Sequence, residues 1–274
     1  MFRSLVRGLY PSSTASETGS RLLTMLRLYI DDSKDDGETA VVAAGYLASD
    51  EQWEGFIAKW DSALAAAGVA PTAWNTRVFH MTDFENSHLR PRSPFHSWEK
   101  PRKAEFMARL IRIIADHTQY GFTLCVPVND YWRGVAFWSP EYRRLDPFAF
   151  ANWEIMKVIR DRLVSTNSAE QVTYFTDTVT KRDDIDFLMR SLESSPEHSR
   201  DFRLHRWLWA KVSKDIPMQA SDVLAYESAK EWVNCYRSGE PTRDVRASLG
   251  ALGRTINYHR LVTFESLRNH RPTD

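Results

Sequence analysis

Two carboxylates stand side by side in the run Leu26-Arg27-Leu28-Tyr29-Ile30-Asp31-Asp32-Ser33. Clustered carboxylate oxygens are hard ligands that hold hard divalent cations such as Mg²⁺ or Mn²⁺. Leu26, Leu28 and Ile30 alternate with Tyr29 and Asp31, which puts the two sets on opposite faces of a strand. Asp31 is therefore carried on the rigid end of that strand, with Asp32 just beyond it. A strand that ends in a solvated turn has the same Asp-Asp-Ser sequence, so this stretch alone leaves both readings open.

Two further acids fall at the ends or on the faces of regular elements. In Val172-Thr173-Tyr174-Phe175-Thr176-Asp177 an apolar strand delivers Asp177 to its C-terminal end. Asp222 lies in the first turns of a helix opened by Pro217. Gln219, Asp222 and Tyr226 are spaced i, i+3 and i+7 and share one face of it, while Ala220, Val223 and Leu224 can pack on a sheet. Burying an unpaired carboxylate beside so apolar a stripe is costly. An arginine, a helix N-terminal amide or a metal ion would satisfy it.

The elements that must position these acids alternate in type. Thr39 to Ala48 reads as a buried strand, a short polar loop after the first, so the two form a hairpin. Ser49 or Asp50 caps a helix with Trp53, Phe56, Ile57, Trp60 and Leu64 as its apolar stripe, ended by Gly68. After a loop containing Pro91, Pro94 and Pro101, Arg102 to His117 is helical, with Phe106, Leu110, Ile113 and Ile114 inward. Tyr120 to Val128 is strand-like, Asp146 to Val164 helical, Val172 to Thr176 a short strand, Arg182 to Leu192 helical and Phe202 to Val212 extended. The last long helix runs from Pro217 to about Arg237, with Gly239 beyond its end. This order predicts one α/β domain with a mixed sheet.

Composition bounds the function. Of 274 residues, 43% are hydrophobic and 26% charged, with 36 Lys+Arg balancing 36 Asp+Glu. A chain of zero formal net charge has no global attraction for nucleic acid or an anionic membrane, so any such partner needs a local basic patch. Cys125 and Cys235 form no CxxC pair, which argues against structural zinc or a disulfide framework and fits a reducing cytosol. No run approaches the roughly 18 apolar residues of a membrane span. A cytoplasmic protein without a membrane partner is expected. Residues 1–24 carry Arg3, Arg7 and Arg21, many Ser and Thr, and the single acid Glu17. They read as a disordered extension or as a mis-assigned start ahead of Met25. There is no Walker loop, GxGxxG or GxSxG.

Taken together, the arrangement resembles the bacterial and phage domain-of-unknown-function family 3800, regarded as ribonuclease H-like. Its members open with Tyr-(Ile/Leu)-Asp-Glu-Ser-Gly, here Tyr29-Ile30-Asp31-Asp32-Ser33-Lys34. A "(Leu/Phe)-His-x-x-(Asp/Glu)" element follows the first helix, here Phe79-His80-Met81-Thr82-Asp83. A mid-chain strand ends in an acid, here Asp177. A "Leu-Gln-x-Ala-Asp-Leu-(Leu/Ile)-Ala-Tyr" helix closes the pattern, here Met218 to Tyr226. The likeness spans Met25 to about Arg237. Asp32 is one methylene shorter than the usual Glu, and Lys34 replaces a glycine and sets a cation near the acids.

The resemblance implies a ribonuclease H-like mixed β-sheet flanked by α-helices over residues 25–274, and a Mg²⁺- or Mn²⁺-dependent nuclease. Two ions about 3.5–4 Å apart activate a water and stabilise the leaving oxygen of a phosphodiester. Asp31, Asp177 and Asp222 are the implied ligands, with Asp32 as a fourth or as a group that supports them. His80 and Asp83 are candidates for proton transfer or substrate positioning. Glu227, about 140° round the helix from Asp222, is not an expected ligand. Nucleic acid is the expected partner; oligomeric state is left open. The competing readings are a catalytically degenerate nucleic-acid- or protein-binding module and a hydrolase of a small phosphoester.

Two other features are double-sided. Arg90, Arg92, Lys100, Arg102 and Lys103, interleaved with Phe95, His96 and Trp98, suit either a nucleic-acid rim or a solvated loop. His205, Trp207 and Trp209 alternate along a strand, a stripe that reads as core in preference to a base-stacking platform.

Overall fold

The computed structural model describes residues 25–34, 37–138, 143, 145–177, 182–237, 241 and 243–269. The expectations for residues 1–24 and Gly239 lie outside them. In chain order the strands are β1 (Met25–Lys34), β2 (Ala40–Ser49), β3 (Tyr120–Pro127), β4 (Gln171–Asp177), β5 (Leu204–Ala210) and β6 (Ile256–Leu261). The helices are α1 (Asp50–Ala66), α2 (Met81–Glu85), α3 (Lys100–His117), α4 (Val128–Val135), α5 (Pro147–Ser165), α6 (Arg182–Glu193), α7 (Pro196–Asp201), α8 (Ile216–Trp232), α9 (Ala247–Leu252) and α10 (Phe264–Arg268).

The strands form one mixed sheet in the order β5-β4-β1-β2-β3-β6. β1, β2 and β3 are an antiparallel meander, while β4 runs parallel to β1, β5 parallel to β4 and β6 parallel to β3. Both faces of the sheet are covered, so the central strands are buried on two sides, as the unbroken burial of β2 requires. Leu26, Leu28 and Ile30 face one core, filled from α4, α5 and α6 by Tyr131, Phe150, Ile155 and Met189. Tyr29, Ala44 and Tyr46 face the other, filled from α1, α3 and α8 by Trp53, Trp60, Leu110 and Leu224. The alternation in β1 thus reports two cores rather than one core and solvent.

Local signals set the element ends. Ser49 accepts the Gln52 N–H while the Gln52 side chain accepts the Ser49 N–H, a reciprocal cap that starts α1. Trp53, Phe56 and Trp60 of α1 are wholly buried, each worth about 1.5–3 kcal/mol of transfer free energy. Asp146 caps α5 by accepting from Phe148 N and Ala149 N, with Pro147 at the first helical position. Ala220, Ser221 and Ala225 are small, so α8 lies close on β1, where Ser221 Oγ donates to the Tyr29 carbonyl at 3.0 Å.

Some boundaries differ from the sequence expectation. β3 ends at Pro127 rather than Val128, because Val128 begins α4, whose eight residues are too few for a clear period. The long closing helix stops at Trp232 and passes into a π-type turn over Val233–Arg237. β6, α9 and α10 follow it. His205, Trp207 and Trp209 lie on the edge strand β5, and Trp207 and Trp209 pack partly buried on the first core. Cys125 and Cys235 are thiols and are not joined in a disulfide.

Candidate metal centre

β1 and β4 run parallel with Tyr29 opposite Phe175 and Ile30 opposite Thr176. Continuing that register by one residue brings Asp31 beside Asp177. Both follow the same strand parity as Tyr29 and Phe175, whose rings stack at 4.4 Å and form the apolar floor below the acids. Asp32 comes from the next position of β1. Each of Asp31, Asp32 and Asp177 offers a carboxylate oxygen, and these oxygens lie within 4.8 Å of one another. Asp31 and Asp177 are buried and Asp32 is half-buried.

Such crowding has an electrostatic signature. Burial, then the charges of Asp222, Asp177 and Asp32, push the Asp31 carboxyl well above its ordinary range, against the pull of the Asp32 N–H that it accepts at 2.9 Å. Burial, with Asp177 next, raises Asp32 to about 6, while Lys34 pulls it back. Lys34, exposed at the end of β1, therefore acts on Asp32 from outside the cluster.

Asp222 is held differently. One oxygen accepts the Met81 N–H at 2.7 Å, and the other lies 3.3 Å from His80 Nε2. The partner of this buried acid is thus the first amide of α2, together with an imidazole. Burial raises it to about 6, with His80 and the Met81 amide opposing and Asp83 and Asp177 adding to the rise. Of the four expected ligands, Asp31, Asp32 and Asp177 form the tight trio, and Asp222 lies beside it within the same field.

His80 precedes α2 in an extended conformation, makes no side-chain capping bond, and links two acids, with Nδ1 3.7 Å from Asp83 Oδ1. Asp83 in turn forms an ion pair with Arg90. The segment carrying His80 is fixed by Gln219, which is completely buried. Gln219 Oε1 accepts from Trp60 Nε1 at 2.8 Å and Phe79 N at 2.9 Å, and its Nε2 donates to the carbonyls of Arg77 and Val212. Gln219 and Asp222, one turn apart on α8, therefore grip Phe79 and Met81, the residues on either side of His80.

All six expected site residues lie in or beside this centre. Glu227 does not join it: buried on α8, it pairs with Arg246 Nε at 2.8 Å. One acid was missed. Asp146, read from sequence only as a helix start, is buried, and its charge raises Asp32. A capping Asp before Pro147 carries no sequence signal that it also lies near an acid more than a hundred residues earlier.

No family model, curated protein or solved structure matches this chain. The geometry therefore carries the functional reading. Oxygen-only ligands in a buried cluster suit a hard divalent cation, and the raised carboxyls mark what such an ion would relieve. Among the described residues no helix is long and apolar enough to cross a membrane.

Proposed function

We propose that the protein is a Mg²⁺- or Mn²⁺-dependent nuclease built on a ribonuclease H-like scaffold. The observation that carries the proposal is the trio Asp31, Asp32 and Asp177, whose oxygens lie within 4.8 Å of one another at the ends of two parallel strands. The antiparallel meander β1-β2-β3, continued on its first strand by parallel β4 and β5, supports the scaffold.

Asp31, Asp32 and Asp177 would hold the metal, with Asp222 contributing negative field beside them. A divalent ion bound there supplies Lewis-acid charge and an activated water for phosphodiester hydrolysis. His80 stands between Asp222 and Asp83, where an imidazole can hold or pass a proton to a leaving oxygen. Gln219 keeps that imidazole in place through the backbone on its amino-terminal side.

A second reading, a binding module that has lost catalysis, is favoured by one observation. Asp222 spends one oxygen on Met81 and sets the other against His80. Incubation with single-stranded, duplex and hybrid oligonucleotides, in Mn²⁺, Mg²⁺ or EDTA, separates the two. Metal-dependent cleavage that vanishes in Asp31→Asn is expected; no cleavage of any substrate, with no metal binding by calorimetry, leaves the module.

A further inference from the structure

We propose that the segment from Ser87 to Lys103 is a preformed cationic rim that grips the phosphate backbone of a nucleic-acid chain and leads it to the carboxylate centre. This names the substrate class of the site above as a polymer rather than a small phosphoester, and it rests on that reading for the catalytic step only.

The charge is local. The chain as a whole is neutral, yet this stretch carries Arg90, Arg92, Lys100, Arg102 and Lys103 against the single acid Glu99. Arg90, Arg92, Lys100 and Arg102 are exposed, and Arg92 and Lys100 have no ion-pair partner among the described residues. Lys100, Arg102 and Lys103 fall in the first turn of α3, which contains no acid. A helix start carries partial positive charge and favours acids. Three cations there oppose the stability of the isolated helix and deepen the positive potential instead.

The rim is rigid where it needs to be. Phe95 is buried, with its ring 5.0 Å from Phe84 and 5.8 Å from Phe106. Ser87 Oγ donates to the Phe95 carbonyl, and His96 Nδ1 lies 2.9 Å from the Ser87 carbonyl. Lys103 Nζ donates to the Phe84 carbonyl at 2.9 Å. Arg102 stacks over the Trp98 ring at 4.0 Å, which holds its guanidinium in place. A proline-punctuated loop with this anchoring presents its cations at little entropic cost.

The rim is also continuous with the centre. Arg90 pairs with Asp83, Asp83 faces His80, and His80 faces Asp222. The proposed path takes a phosphate chain held by Arg92, Lys100 and Arg102 past Arg90 to the acids. A small phosphoester would need none of these outlying cations.

The test is binding of a fluorescent oligothymidylate in EDTA, where neither metal nor cleavage contributes. The full-length protein, the variant Arg92→Ala/Lys100→Ala/Arg102→Ala and the control Arg190→Ala on α6 are compared over a range of salt. The expected result is at least a tenfold loss of affinity in the triple variant and none in the control. The slope of log affinity against log salt should become shallower by about 2, at roughly 0.7 per single-strand phosphate contact. Equal affinity of parent and triple variant, or no binding by the parent, overturns the rim. Calorimetry with Mn²⁺ alone keeps the two ideas apart. Metal binding without oligonucleotide binding sinks the rim and spares the centre; the reverse sinks the nuclease and keeps the rim.

Discussion

Asp222 accepts the backbone N–H of Met81 at 2.7 Å, across 141 residues of sequence. This bond ties α8, which lies on β1, to the start of α2, and it sets the carboxylate against the His80 ring. With Gln219 gripping Phe79, it makes α8 the element that decides where His80 stands.

The first prediction concerns that grip. Gln219→Leu removes four hydrogen bonds and leaves Trp60 Nε1, Phe79 N and two carbonyls buried without their partner. A destabilisation of about 3–5 kcal/mol is expected in urea melts, since each orphaned buried group costs roughly 1–3 kcal/mol, less whatever water recovers. A change under about 1 kcal/mol would show that the bonds are dispensable.

A second prediction follows from crowding. Asp32 ionises near pH 6 in the fold, above its ordinary carboxylate value, so its charge opposes folding at neutral pH. Asp32→Asn should therefore raise metal-free stability at pH 7.5 by about 1–3 kcal/mol, taking 1.36 kcal/mol per pKa unit. The gain should close below about pH 3, where both states hold the proton. Mn²⁺ affinity should fall at least tenfold. Thermal melts without and with Mn²⁺ read both effects, and a variant less stable than the parent at pH 7.5 would contradict the electrostatic account.

The same linkage sets the pH dependence of the parent. Asp31, Asp32 and Asp222 are all raised, so the folded state binds more protons than the unfolded state from their ordinary values up to about 6 for Asp32 and Asp222. Their contribution to stability is present at acid pH and lost as pH rises through that window. A bound cation replaces the protons, so the rise in melting temperature on adding Mn²⁺ should be larger at pH 7.5 than at pH 5. Equal rises at both pH values would mean that the ion binds elsewhere.

His80→Gln separates chemistry from structure. Its side chain contacts are with Asp222 and Asp83, and it is not in the metal trio. Mn²⁺ affinity should stay within a few-fold of the parent while the single-turnover cleavage rate falls by about 10²–10⁴, the usual worth of a general acid or base. An unchanged rate would reduce His80 to a structural link between Asp222 and Asp83.

A backbone prediction tests the sheet that carries the acids. A Cβ at Gly45 on β2 would overlap the Tyr29 carbonyl oxygen, which Ser221 Oγ also uses. Gly45→Ala should cost about 1–3 kcal/mol, the usual price of overpacking, and lower Mn²⁺ affinity by shifting β1. Melts and calorimetry that match the parent would show that β2 can yield.

Much of this molecule was legible in its sequence. The period-2 runs placed β1 and β4, and the apolar stripe with its Ser49 cap placed α1. Helical spacing put Gln219 and Asp222 on one face. These are properties of one element, set by backbone geometry and by which side chains avoid water. Tertiary structure alone decided the rest. Parallel pairing of β1 with β4 set Asp31 beside Asp177. The packing of α8 on β1 turned Asp222 to Met81 and His80 and left Asp32 as the third member of the trio. Asp146 came near Asp32 only because α5 starts beside the end of the sheet. Sequence spacing orders groups within an element; which oxygens converge depends on register and docking, which many distant contacts determine together.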